Sequence, residues 1–134
     1  MRRVRVLCAV AALLFAVACA DDSTGTGGPP QAGTLILRLT TPHSDDGAVL
    51  FELSGPPIDS VVALNASLQL FTRRANDSTI VGAVVGVVAN GAVVTLHVPD
   101  VGAASGYAAR ILEVADRQNA LRISLAAYAL TVTP

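Results

Sequence analysis

The chain of 134 residues contains no tryptophan and no lysine, only two cysteines, two tyrosines and three phenylalanines, and 14% charged residues. Each scarcity excludes something. Without tryptophan and with so few other rings, the broad aromatic platforms that stack on sugars, bases or peptides cannot be assembled. All nine basic residues are arginine, and Arg2, Arg3 and Arg5 crowd the first five positions. With residues 1–18 removed, six arginines remain against ten acids, a net charge of −4. A mildly acidic domain lacks the clustered cations that neutralise phosphates, so nucleic acid is not an expected partner. The length allows one domain and a modest core. The apolar fraction of 52% comes chiefly from Val, Ala and Leu, which points to small branched packing.

The N-terminus has its own organisation. Residues 1–5 are basic, and residues 6–18 form an uncharged apolar run, long enough for a signal-peptide core and shorter than the roughly 20 residues of a membrane span. Ala16-Val17-Ala18-Cys19-Ala20-Asp21-Asp22 follows, with small residues before a cysteine and a polar stretch after it. This resembles the lipobox of bacterial lipoproteins, with Ala16 where the family usually has Leu. The resemblance implies cleavage between Ala18 and Cys19 and acylation of Cys19 with palmitate-type chains, which would hold the mature protein on a membrane. Ala20 after the cysteine looks like an outer-membrane signal in a two-membrane envelope. Ala18-Cys19-Ala20 also fits the A-x-A rule of ordinary secretory signals, with cleavage before Asp21 and release to the periplasm. Arg2-Arg3 lacks the surroundings of a twin-arginine signal and reads as plain n-region charge. Cys8 lies within the apolar run and would leave with it, so the mature chain would hold one thiol and no disulfide.

Residues 20–32 (ADDSTGTGGPPQA) carry no large apolar side chain and are expected to form a flexible linker, giving a division into 1–18, 19–32 and 33–134. Gly25, Gly27 and Gly28 do not make a phosphate loop, because Pro29-Pro30 follows where a helix would be needed. From Gly33 the pattern alternates: Leu35, Leu37 and Leu39 share one face, and Val49, Phe51 and Leu53 another. Further strands are expected over 67–72, 79–88, 92–98, 106–115 and 128–133. About seven short strands with turn signals between them indicate an all-β fold, a single antiparallel β-sandwich of immunoglobulin-like or cohesin-like type. Alternation turns Phe51 and Tyr128 inward. Two segments are mixed. Leu64, Leu68 and Phe71 have helical spacing although Leu68 and Leu70 alternate, and Asp116 either caps a short helix or opens a turn.

Residues 79–98 have few polar interruptions and include Gly82-Ala-Val-Val-Gly86, so in isolation they resemble a membrane span. The valines favour extended chain, and Asn90-Gly91 in the middle predicts a hairpin between two strands. Gly82 and Gly86 then share a face with Val84 and Val88, where another group can approach closely.

Nothing in the sequence assembles a catalytic constellation. His97 falls on the solvent side of its strand with Thr95 and Val93. His43, Asp45 and Asp46 are candidates for a metal site but read better as solvated turn residues, so no metal or other cofactor is assigned. Asp45-Asp46-Gly47 and residues 116–119 lack the ligand spacing of a calcium loop. Gly102-Ala-Ala-Ser105-Gly106 is one residue out of step with a nucleophile elbow. Glu52 and Glu113 are drawable as a glycosidase pair, as any two of ten acids would be. Asn65-Ala-Ser67 and Asn76-Asp-Ser78 match glycosylation sequons of little meaning behind a bacterial lipid signal, and Arg73-Arg74 reads as a solvated hairpin end.

The stretch 45–98, with Gly47-Ala-Val-Leu-Phe-Glu-Leu-Ser54, Ile58-Asp-Ser-Val61 and Gly91-Ala-Val-Val-Thr-Leu-His-Val98, resembles cohesin-like sandwiches and their carbohydrate-binding relatives. That implies binding of partner modules or glycans, but the aromatic platform for glycans is absent. The expectation is a non-enzymatic, membrane-tethered interaction or envelope-structural module. A small cell-wall or glycan hydrolase and a periplasmic carrier of an apolar ligand are the alternatives.

Overall fold

A computed structural model describes residues 28–134; Cys8, Ala18 and Cys19 lie outside them. The described chain forms eight strands: β1 (Gly33–Thr40), β2 (Asp46–Ser54), β3 (Ser60–Ala63), β4 (Leu68–Asn76), β5 (Thr79–Val88), β6 (Gly91–Val98), β7 (Ala108–Asp116) and β8 (Ala129–Thr133). They build two antiparallel four-stranded sheets, β3-β6-β1-β8 and β4-β5-β2-β7, packed as a sandwich. The fold class is the one the alternation predicts, with one strand more than expected. The extra strand is β3. Leu64 and Phe71 are exposed while Leu68 is buried, so the three do not form a helical stripe. A turn at Asn65–Ser67, closed by the Asn65 side chain accepting from the Ser67 backbone N–H and hydroxyl, separates β3 from β4.

Every strand contributes alternate residues to one core. Leu35, Leu37 and Leu39 of β1 and Val94, Leu96 and Val98 of β6 face Val49, Phe51 and Leu53 of β2 and Ile80, Val84 and Val88 of β5. Val93, expected outside with His97, is buried as well. The pairing of β1 with β6 shifts register between Leu37 and Arg38, and the irregularity turns two consecutive valines inward. Phe51 and Gly82 are direct partners across β2 and β5. A Cβ on Gly82 would lie 2.4 Å from the tip of the Phe51 ring, so the glycine makes room for the largest core side chain.

The Asn90-Gly91 hairpin is corrected by the topology. β5 already lies between β4 and β2, and β6 between β3 and β1, so neither has a free edge for the other. The turn instead carries the chain from one sheet to the other. Asn90 fastens the crossing by accepting from the Thr41 amide at 2.7 Å and donating to the Thr41 carbonyl at 3.0 Å. Among the described residues no helix is long and apolar enough to cross a membrane. Arg73-Arg74 lies exposed at the end of β4, whose hairpin with β5 reverses at Asp77-Ser78, as expected, and Arg74 donates to the Ile58 carbonyl.

Gly86 has φ of +142°, in a bulge where β5 slips against β2, and a Cβ there would sit 2.5 Å from the Ser67 carbonyl oxygen. Gly86→Ala is therefore expected to destabilise by about 1–3 kcal/mol, measurable as a lowered urea midpoint at unchanged slope.

The sandwich has two poles. Chain enters β1 at Gly33, beside the ends of β6 and β8, and there Gln31 accepts from the Val101 amide while its own amide donates to Asp100. The last linker residues are thus held against the 3₁₀ segment Val101–Gly106. At the distal pole lie the β1–β2, β3–β4, β5–β6 and β7–β8 connections, all of which cross between sheets.

Candidate functional site: a buried carboxylate and an apolar sheet face

Asp46 is the first residue of β2 and is fully buried at 0% exposure, contrary to its expected place in a solvated turn. Its Oδ1 accepts from Arg122 Nε at 3.0 Å and from a terminal Arg122 nitrogen at 2.8 Å, and Oδ2 accepts from the Thr41 hydroxyl at 2.5 Å. The Tyr128 hydroxyl lies 3.0 and 3.1 Å from the two oxygens. Arg122 also reaches Asp45, and the His43 ring leans on Tyr128 with centroids 5.9 Å apart. The side chains weighed as a metal site are therefore turned on a guanidinium and a phenol.

Arg122 and Tyr128 sit in the β7–β8 connection, 76 and 82 residues beyond Asp46. Residues 115–127 hold no helix. Asp116 Oδ1 accepts from the Gln118 and Ala120 amides at 2.8 and 2.9 Å, which makes a turn completed by Asn119 at φ of 67°. The Asp46 cluster then clamps the remainder of the connection to the start of β2. Sequence reading missed Thr41 and Arg122 as members of one group, and nothing local marks them.

Burial alone would raise the Asp46 pKa, but hydrogen bonds from Thr41, Arg122 and Tyr128, with the Arg122 charge, outweigh it and hold the carboxyl below its ordinary value. A carboxylate depressed in the folded state stabilises above its unfolded pKa, about 4, and loses that contribution as pH falls through the lower folded value. Urea midpoints are expected to fall between pH 5 and pH 3 in the wild type, with a shallower fall in Asp46→Asn. Tyr107 titrates in the opposite sense. Burial first, then Asp59 and Asp100, raise its pKa, and its hydroxyl donates to the Pro57 carbonyl at 2.8 Å. Its contribution is complete below about pH 10 and is lost as pH rises beyond it.

The other candidates are dispersed. His97 is exposed on the outer face of β6, while His43 lies at the distal pole and Ser105 in the 3₁₀ segment at the N-terminal pole. Glu52 is held bidentately by Arg110 at 2.9 and 3.3 Å, which raises the Arg110 pKa through that hydrogen bond and the Glu52 charge. Both sequons form turns in which Asn65 and Asn76 accept from the serine two residues on. Inside the core, a cavity of about 10 Å³ lined by Leu39, Val49, Phe51, Val84, Val88, Val93 and Leu130 has room for one water at most, and none for an apolar cargo.

The outer faces of the two sheets differ in kind. On β3-β6-β1-β8 the cross-strand rows read Ser60–His97–Thr34 and Val62–Thr95–Ile36–Thr133, with Arg38 beside Thr131. On β4-β5-β2-β7 they read Gln69–Val85–Ala48–Ala115, Phe71–Ala83–Leu50–Glu113 and Arg73–Val81–Glu52–Arg110. The first of these rows continues through a bridge from Ala115 to Leu121, so the clamped connection adds a fifth position to the sheet. Phe71 is 60% exposed, Leu121 62%, and Ile123 fully exposed. Among the described residues this sheet exposes a largely apolar surface, interrupted by Gln69 and Glu113 and bordered by the row of Arg73, Glu52 and Arg110, and contiguous patches of this kind mark contact sites.

No family model, curated protein or solved structure matches the chain. The functional reading accordingly rests on this geometry and on the sequence.

Proposed function

We propose that the protein is an exported lipoprotein, held to a membrane through Cys19, that serves as a non-enzymatic interaction or envelope-structural module. The address is supported by the basic residues 1–5, the apolar run 6–18 and the small residues before Cys19. The module reading is carried by one observation, the apolar outer face of β4-β5-β2-β7. It is supported further by the way the buried Asp46 carboxylate is spent on internal hydrogen bonds. A side chain whose lone pairs are all engaged in this way fixes loops and has none left for a substrate.

Fractionation of cells expressing the full chain tests the address. Wild type is expected in the membrane pellet and Cys19→Ala in the soluble fraction or as uncleaved precursor. Equal partition of the two variants contradicts attachment through Cys19.

A further inference from the structure

We infer that the outer face of β4-β5-β2-β7 rests on the surface of the bilayer that holds the lipid, so that the domain lies on its side and turns its threonine-rich sheet to solvent. The inference rests on acylation at Cys19. The two outer faces make the whole domain amphipathic. The rows of Val85 and Phe71, extended by Leu121, are apolar except for Gln69 and Glu113 at their ends, and the opposite sheet presents Thr34, His97, Thr95 and Arg38 around Val62 and Ile36. The next row toward the N-terminal pole carries Arg73, a long side chain that can keep its stem on apolar surface and reach headgroup phosphates with its guanidinium end, while Arg110 in the same row is engaged by Glu52.

The chain outside the described domain says which apolar phase is at hand. Residues 19–30 lead from Cys19 to Gln31, which is held on the domain, and span about 40 Å at full extension, against about 30 Å for the length of a strand in this sandwich. The tether therefore lets the face reach the bilayer in which its own end is fixed, and that proximity supplies the effective concentration that a modest patch needs. A second copy is a poorer occupant. Five strand positions at about 4.8 Å and three rows at about 7 Å give on the order of 500 Å² per copy, or about 1,000 Å² in total. Stable protein pairs bury about 1,200–2,000 Å². A fluid lipid surface needs no matching shape, and the clamp on residues 117–128 keeps Leu121 in the plane of the sheet.

The test uses full chain extracted from membranes and returned to vesicles of phosphatidylethanolamine and phosphatidylglycerol. Nitroxide labels are placed at Gln69→Cys, on the apolar face, and at Thr34→Cys, on the opposite sheet, and intact mass is recorded on the same samples. The expected result is an acylated protein whose Gln69 label is severalfold more accessible to oxygen than to a water-soluble nickel chelate, with the reverse at Thr34. Combining Gln69→Cys with Phe71→Ser, Val85→Ser and Leu121→Ser should abolish the contrast while acylation and the β-sheet circular dichroism persist. Acylated protein with both labels equally open to nickel overturns the inference and leaves the address standing. Dipolar broadening between Gln69 labels also overturns it, in favour of a second copy. Absence of acylation overturns the address and the inference together.

Discussion

Asp46→Ala is expected to be among the most damaging single substitutions, lowering stability by about 3–5 kcal/mol in urea or thermal unfolding at pH 7. The carboxylate is fully buried, and its removal leaves three donor groups, from Thr41, Arg122 and Tyr128, facing an empty acceptor position. Arg122 would keep only the half-exposed Asp45 as its charge partner, which is why the effect should exceed that of losing an ordinary hydrogen bond. Asp46→Asn keeps the shape and one acceptor oxygen, so it should fall between the two. The loss should also be local in its first signs. Amide exchange of residues 117–128 should accelerate before that of β1 or β6, because the clamp is what ties this connection to the sandwich. If Asp46→Ala proves neutral, the cluster does not hold the distal pole together.

The second large effect is expected at the Phe51–Gly82 pair. Phe51→Ala should cost about 3–5 kcal/mol, because the ring is 1% exposed and lies at the centre of the core. Gly82→Ala should cost about 1–3 kcal/mol by overpacking, since its new Cβ would fall 2.4 Å from the ring. The informative result is the combination. Phe51→Leu shortens the side chain where Gly82→Ala adds volume, so the double variant should be more stable than the sum of its parts by about 1 kcal/mol or more. Simple additivity of the two changes would show that the ring and the glycine do not share their space.

Much of the fold was legible because period-two alternation is imposed wherever one face of a strand is buried. Leu35, Leu37 and Leu39, or Val49, Phe51 and Leu53, cannot alternate otherwise. β3 escaped because four residues are too few to display a period, and because Leu64, Leu68 and Phe71 happen to be spaced as on a helix. Asn90-Gly91 misled for a different reason. Turn chemistry specifies that the chain reverses, but not whether the returning strand joins the same sheet or the one opposite.

The Asp46 cluster was illegible in principle. Its members lie up to 82 residues from Asp46 and meet only once both sheets are stacked. Tyr128 alone gave a signal, by alternating with Leu130 and Val132 toward the core. The apolar face was half legible: the residues were visible in β4 and β5, but which side of a sheet remains outside is decided by packing, not by alternation.

Intact-mass analysis of protein extracted from membranes tests the central claim, attachment through Cys19, most directly. The predicted result is a chain of residues 19–134 carrying glycerol-linked and amide-linked acyl groups, with no such species from Cys19→Ala. An unmodified product beginning at Asp21 would contradict it.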